Sequence, residues 1–185
     1  MTSPSDAELM RAVRAGHSSA LGSLFERHHA RLYRFCLRMV GNPHAAEDLV
    51  QEVFMRILKF SKTFRNDASF GPWMFRIARN ACADHLRRVA REPDTEPDFD
   101  TIPAQTPTAE SQASEHQRAR LVERALARLP DQGREVLLLS RFEFKTYEEI
   151  GRVLGCSTGA VKVRAHRAMK QFREIFLALS QEAAT

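Results

Sequence analysis

One short run, residues 144–172 (FKTYEEIGRVLGCSTGAVKVRAHRAMKQF), limits what this chain can fold into more than any other, because it encodes two helices with almost no room between them. Thr146 and Glu149 have the T-x-x-E spacing of a capping box: the hydroxyl accepts from an early backbone N–H, and the carboxylate reaches back to the cap residue. Ile150, Val153 and Leu154 then recur at the spacing of one helix face. Gly155 falls where a left-handed C-cap is needed, and Ser157 is placed to cap a second helix. Val161, Ala165, Met169 and Phe172 continue a single apolar stripe along it. Gly151, with no side chain to speak of, lets the second helix cross close to the first. This is helix-turn-helix geometry, whose second helix is free to enter a major groove. Its outward positions include Lys162, Arg164, His166, Arg167, Lys170 and Arg173. With Ser157, Thr158 and Val163 near its start, they form the candidate DNA-contacting set. The same spacing also describes an ordinary helical hairpin with a solvated basic face, so the rest of the chain has to decide.

The 185 residues suffice for one large or two small domains, and 43% apolar with 28% charged residues is a globular balance. A net charge of +5 favours an anionic partner, but charge alone fits nucleic acid, an anionic membrane or simple solubility. Cys36, Cys82 and Cys156 are isolated in sequence, with no C-x-x-C and no Cys/His ladder, so neither a zinc site nor a disulfide framework is expected. Unpaired cysteines fit a reducing cytosol. No apolar run approaches the ~20 residues of a membrane span, and the start has no signal-peptide pattern. The expectation is a soluble, cytoplasmic protein with no membrane insertion of its own, no metal and no cofactor.

From the N-terminus, Ser5 and Glu8 form another capping box ahead of Leu9, Met10 and Val13, and Gly16 ends that helix. Leu21, Leu24, Phe25, His28, Leu32, Phe35 and Met39 mark the buried side of a longer helix, with His28 expected on a partly exposed flank. After the Gly41-Asn42-Pro43 break, Asn42 is set to cap and Pro43 to open a third helix. Ala46, Leu49, Val50, Val53, Phe54, Ile57 and Leu58 give it the strongest periodicity in the chain. Its other face carries Glu47, Asp48, Gln51, Glu52, Met55 and Arg56, an acidic cluster in a basic protein. Acidic residues near a helix start suit the dipole; a docking face for a basic partner is the sharper reading. Residues 63–71 have turn composition and read as a loop, after which Pro72 opens a helix to about Val89. Around it, Arg65, Arg76, Arg79, Arg87 and Arg88 alternate with Phe64, Phe70, Trp73 and Phe75. Taken singly, the aromatics read as core. As one surface with Asn80, the stretch has the ring faces and cations that an unstacked single strand requires.

Residues 92–115 hold seven acidic residues and four prolines with no lysine or arginine, the composition of an extended, flexible linker. Beyond it, His116 to Leu129 forms a helix, Pro130 breaks it, and Gly133 to Phe142 forms another that leads into the helix-turn-helix. The expected fold is all-α: a domain at residues 5–91, the acidic, proline-containing linker at 92–115, and a domain at 116–179 ending in the helix-turn-helix.

Two stretches, AEDLVQEVFMRIL with PWMFRIARNACADHLRR, and LPDQGREVLLLSRFEFKTYEEIGRVLGCSTGAVKVRAHRAMK, resemble regions two and four of small alternative sigma factors. Their order, and the missing middle domain, resemble the extracytoplasmic-function group of the sigma-70 family. That resemblance implies a subunit that binds core RNA polymerase, recognises promoter DNA and helps to melt it. By position, Asp48, Gln51, Glu52 and Arg56 fall on the polymerase-docking helix. Phe64, Arg65, Asn66, Phe70, Arg76, Asn80 and Arg87 match the surface for the melted promoter strand. Ser157, Thr158, Lys162, Val163, Arg164, His166 and Arg167 match the helix that reads the distal promoter element as duplex. Phe144-Lys145 departs from the family's small turn, and Ala160, Val163 and Ala165 from its commoner recognition-helix residues. The family also implies an anti-sigma partner. Two other classes compete. A polymerase-independent helix-turn-helix regulator would leave the acidic helix unexplained. An enzyme would need a metal-binding carboxylate cluster, an activated nucleophile or a phosphate-cradling loop, and no catalytic residue of that kind stands out.

Overall fold

The computed structural model describes residues 4–65, 69–91, 112–143 and 146–183, and among them every regular element is helical. In the N-terminal half, α1 (Asp6–Arg14) is closed by the expected capping box, with the Ser5 N–H donating to Glu8 at 2.7 Å. Helix α2 (Ser18–Val40) ends on Gly41, whose φ of 71° is the left-handed cap that glycine adopts at little cost. Asn42 then caps α3 (Pro43–Lys59) by accepting from the Ala45 N–H at 3.0 Å, with Pro43 at the first helical position. A 3-10 turn (Ser61–Thr63) follows, and then α4 (Phe70–Val89). The helix starts two residues before Pro72, which is accommodated because the first N–H groups of a helix have no partner within it. Phe35 and Phe75, both fully buried, meet edge to face at 5.2 Å and join α2 to α4.

Four expectations change on folding. Phe25 and Leu58 are exposed at 39% and 45%, because they sit at the margins of their stripes, where Phe25 still meets Phe54 of α3 at 5.0 Å between ring centres. His28 is buried rather than flanking, and its Nε2 lies 2.9 Å from the Asp6 carboxylate. Burial pushes its pKa down while Asp6 pulls it up, with a net lowering. Cys36 and Cys82, far apart in sequence, are both fully buried with their sulfurs 3.9 Å apart where α2 crosses α4.

The C-terminal half contains α5 (Gln112–Ala127), α6 (Asp131–Leu138), a π-helical turn (Leu139–Glu143), α7 (Tyr147–Leu154) and α8 (Thr158–Glu182). Helix α5 begins at Gln112, four residues before the expected start at His116, and ends at Ala127, before the expected end at Leu129. Residues 92–111 of the expected linker, and Phe144 and Lys145, lie outside the described residues. Helix α8 is the backbone of this half, packing on α5, α6 and α7. The two halves touch along α4 with α7 and along α2 with α5 and α6. Their buried residues join in one continuous cluster.

Candidate nucleic-acid interface

The start of α7 and its turn into α8 are set by short-range hydrogen bonds between capping side chains and backbone, and by two glycines. The Thr146 hydroxyl accepts from the Glu149 N–H at 3.3 Å, and the Glu149 carboxylate accepts from the Thr146 N–H at 3.3 Å. Gly155 takes φ 66°, and Ser157 caps α8 by accepting from the Ala160 N–H at 3.2 Å. At Gly151 the chain folds back so tightly that a Cβ would stand 2.7 Å from the Cys156 carbonyl oxygen. That is an impossible contact with a backbone atom, so the crossing read from the sequence requires glycine here. Val161, Ala165 and Ala168 are buried beneath α8. Ser157, Thr158, Lys162, Val163, Arg164, His166 and Arg167 all lie on its exposed side, with Lys170 and Arg173 further along. A convex helical surface with this many cations suits the phosphate-lined walls of a groove.

In the N-terminal half, Arg76, Asn80 and Arg87 follow one another down the exposed side of α4. Asn80 and Arg76 border a cleft of about 600 Å³, together with Arg65, Phe60, Trp73 and Arg56. Phe64 and Phe70 do not line it. They are 2% and 4% exposed, their rings pack on each other and on Trp73, and Phe70 also meets His28. Phe64 and Phe70, expected on the strand-binding surface, therefore lie in the core and support Trp73, which is half-buried and lines the cleft. Asn66 lies outside the described residues. Sequence composition groups Trp73 with the other aromatics, and only tertiary packing separates it from its neighbours. Arg152 of α7 forms part of the same cleft, a contribution that no local pattern signals.

On α3, Asp48 and Gln51 are exposed, whereas Glu52 and Arg56 are half-buried. Arg56 donates to Glu52 at 2.5 Å and to Asp84 of α4 at 3.1 Å. Burial works against its charge, but the bonds to Asp84 and Glu52 hold the guanidinium above its usual range. The Asp84 carboxyl is lowered, first by the Arg56 hydrogen bond and also by Arg87. Thus Glu52 and Arg56 tie α3 to α4, while Asp48 and Gln51 leave their side chains to solvent. Met55, 66% exposed, and Leu58 extend this face with apolar surface. Among the described residues, no group of three His, Cys, Asp or Glu side chains could hold a metal ion. No helix among them is long and apolar enough to cross a membrane.

Residues 24–92 match the family model for sigma-70 region 2, and residues 119–172 match that for sigma-70 region 4. The ECF RNA polymerase sigma factor SigE of Mycolicibacterium smegmatis is 35% identical over 188 aligned positions, covering 98% of this chain and 73% of that protein. The RNA polymerase sigma factor CarQ of Myxococcus xanthus is 34% identical, covering 95% of this chain and 99% of that one. Among solved structures, CnrH in complex with the cytosolic domain of CnrY has the same fold, with a TM-score of 0.70 at 24% identity over 94% of this chain and 97% of that one. So does RpoE of Bartonella quintana bound to the anti-sigma factor NepR, with a TM-score of 0.70 at 24% identity over 83% of this chain and 94% of that one.

Proposed function

The chain belongs to the extracytoplasmic-function group of the sigma-70 family, RNA polymerase sigma factors that initiate transcription, and from that premise we propose how its surfaces divide the work. It binds core RNA polymerase and directs it to promoters, acting without catalysis of its own, in the cytoplasm where that enzyme works. The N-terminal domain, residues 5–91, docks polymerase through the exposed Asp48 and Gln51 and the adjoining Met55. Glu52 and Arg56 serve that face by fixing α3 against α4. The cleft beside α4 takes a base of the melted strand, with Trp73 as stacking wall, Asn80 as polar edge reader and Arg65 and Arg76 toward phosphate. The C-terminal domain, residues 116–179, lays α8 in the major groove of the distal element. RpoE of Bartonella quintana, a neighbour of this fold, was solved with an anti-sigma factor, and we assign this chain a protein inhibitor of the same class.

The observation that carries this reading is the coexistence, in one chain, of an exposed acidic helix face, an aromatic and guanidinium cleft, and a separate helix-turn-helix. A regulator that works without polymerase needs only the last. Purified protein added to bacterial core polymerase should produce promoter-specific transcription. Asp48→Lys with Gln51→Lys should weaken core binding by several kcal/mol, as like charges placed across an interface do. Melting temperature should stay within about 2 °C, since both side chains are exposed and surface changes cost about 0.5 kcal/mol or less. Duplex binding without any response to core polymerase would return the assignment to an independent regulator.

A further inference from the structure

Behind the cleft beside α4, a polar pair sits within a cluster of rings. The His28 side chain of α2 is only 9% exposed, and its Nε2 lies 2.9 Å from the carboxylate of Asp6, the first residue of α1. The other oxygen of that carboxylate accepts from Arg27 at 2.5 Å. The His28 ring packs on Phe70, with ring centres 5.1 Å apart. Phe70 in turn meets Phe64 at 6.1 Å and Trp73 at 6.2 Å, and Phe64 meets Trp73 edge to face at 5.2 Å. Helix α1 also packs on the 3-10 turn, and Arg14 reaches the Phe64 carbonyl oxygen at 3.5 Å. Of these four rings only that of Trp73 lines the cleft. A continuous series of contacts thus runs from α1, through Asp6, His28 and Phe70, to the cleft wall.

We propose that Asp6 and His28 are positioning residues for strand capture: their bond fixes the Phe70 ring, and Phe70 with Phe64 fixes the plane that Trp73 turns to an unstacked base. The inference rests on the reading of this cleft as the site of the melted strand. It adds that α1, which contributes no residue to the lining, sets the wall. Apolar packing excludes water but has no preferred direction, so rings held by it alone can slide on one another. A hydrogen bond does have a direction. With Nε2 held toward Asp6, the imidazole plane is set, and with it the face offered to Phe70. A leucine would fill the same volume without burying a polar ring, which costs free energy unless the ring is hydrogen-bonded. What the imidazole adds over leucine is orientation. A wall oriented beforehand spares the loss of side-chain freedom that would otherwise fall on the moment a base stacks.

Trp73 is the only tryptophan in the sequence, so the emission of the unlabelled full-length protein reads this wall directly. Asp6→Ala should shift that emission to longer wavelength and make it more accessible to acrylamide quenching. Asp6→Asn can still accept from Nε2 but no longer pairs with the Arg27 charge, and it should restore the wild-type spectrum. Arg27→Gln should leave the spectrum unchanged. With core polymerase, on a promoter selected by core-dependent transcription, Asp6→Ala should lower permanganate reactivity of the melted strand about fivefold, the size expected when one side chain is ordered on binding rather than beforehand. Affinity for core should not change. His28→Phe keeps a ring but cannot bond Asp6, and it should shift Trp73 in the same way, so the test stands even if Asp6→Ala releases α1. Wild-type emission and quenching in both Asp6→Ala and His28→Phe would overturn the inference, even with a lowered melting temperature, since that result marks a merely structural anchor. An Arg27→Gln spectrum matching that of Asp6→Ala would overturn it too. A Trp73 shift without loss of opening would instead overturn the cleft as strand site, because fluorescence reads the wall and permanganate reads the strand. The sigma-factor reading is decided separately, by core-dependent transcription with wild type.

Discussion

The two halves position their functional surfaces by opposite means. The N-terminal half uses long helices, of 23, 17 and 20 residues for α2, α3 and α4, locked by large buried side chains such as Phe35 and Phe75. The C-terminal half sets its recognition helix from elements of only 8 residues, α6 and α7. There the geometry comes from backbone devices: a capping box, a left-handed glycine, and a glycine under a carbonyl. Where side chains set geometry, removing volume does the damage; where backbone sets it, adding a single methyl does.

The largest expected effect sharpens that contrast. Phe75→Ala empties a fully buried aromatic site and should cost about 3–5 kcal/mol. Chemical denaturation should show it, with loss of core-polymerase binding as the N-terminal helices loosen. Next, Gly151→Ala should cost about 1–3 kcal/mol by forcing the Cys156 carbonyl away. It should abolish duplex recognition in a mobility-shift assay while core binding persists. If Gly151→Ala left duplex recognition intact, the backbone-set description of the C-terminal half would be wrong.

Within the recognition helix the effects are smaller and of two kinds. Lys162 lies in the second turn of α8 with its side chain exposed, so Lys162→Ala should relax preference at particular bases by ~1–3 kcal/mol in a promoter-library selection. Arg167→Ala should weaken all sequences alike and reduce the salt slope of duplex binding by roughly 0.9, as loss of one phosphate contact does. An unchanged base preference for Lys162→Ala would remove it from base reading.

The smallest effect separates the halves by pH. Burial raises the Glu135 carboxyl, against the pull of Arg79 and Arg164, and raises Glu143 against Arg31, Arg34 and Arg38. A carboxyl raised by burial where the halves meet binds its proton more readily there than when exposed. Its contribution to the contact between the halves is therefore full below the ordinary carboxylate range and is lost as pH rises through the raised value. Asp84 has the opposite sign: Arg56 and then Arg87 lower it, so its contribution is present above the ordinary range and fades as pH falls through the lowered value. Acidification should thus tighten the contact between halves before it loosens α3 from α4. Scattering and near-ultraviolet dichroism followed through the same titration distinguish the order.

What the sequence disclosed follows the range of each interaction. The caps made by a side-chain hydrogen bond were legible, from Ser5 with Glu8 to Asn42, Thr146 with Glu149 and Ser157, as was the Gly155 cap, because each acts within a few residues. The outward positions of α8 and of α4 were legible from helical period. That Phe64 and Phe70 turn into the core while Trp73 lines the cleft was not legible, because aromatic composition cannot say which of four neighbouring rings faces outward. His28 with Asp6, Arg79 with Glu135 and the closeness of Cys36 to Cys82 depend on which helices cross, and period does not carry that.

The three thiols give each half its own clock. Cys36 and Cys82 are sealed between α2 and α4, with the Cys82 thiol pushed well up by the Cys36 contact and by burial, so an alkylating reagent can reach them only when that crossing comes apart. Cys156 is half-buried in the turn itself, and its N–H donates to the Gly151 carbonyl at 3.0 Å. Its modification follows local opening of the helix-turn-helix, at a free energy set by that turn alone. A single labelling experiment on the unaltered chain therefore times the fraying of the recognition turn and the unfolding of the polymerase-facing half independently, with no engineered probe.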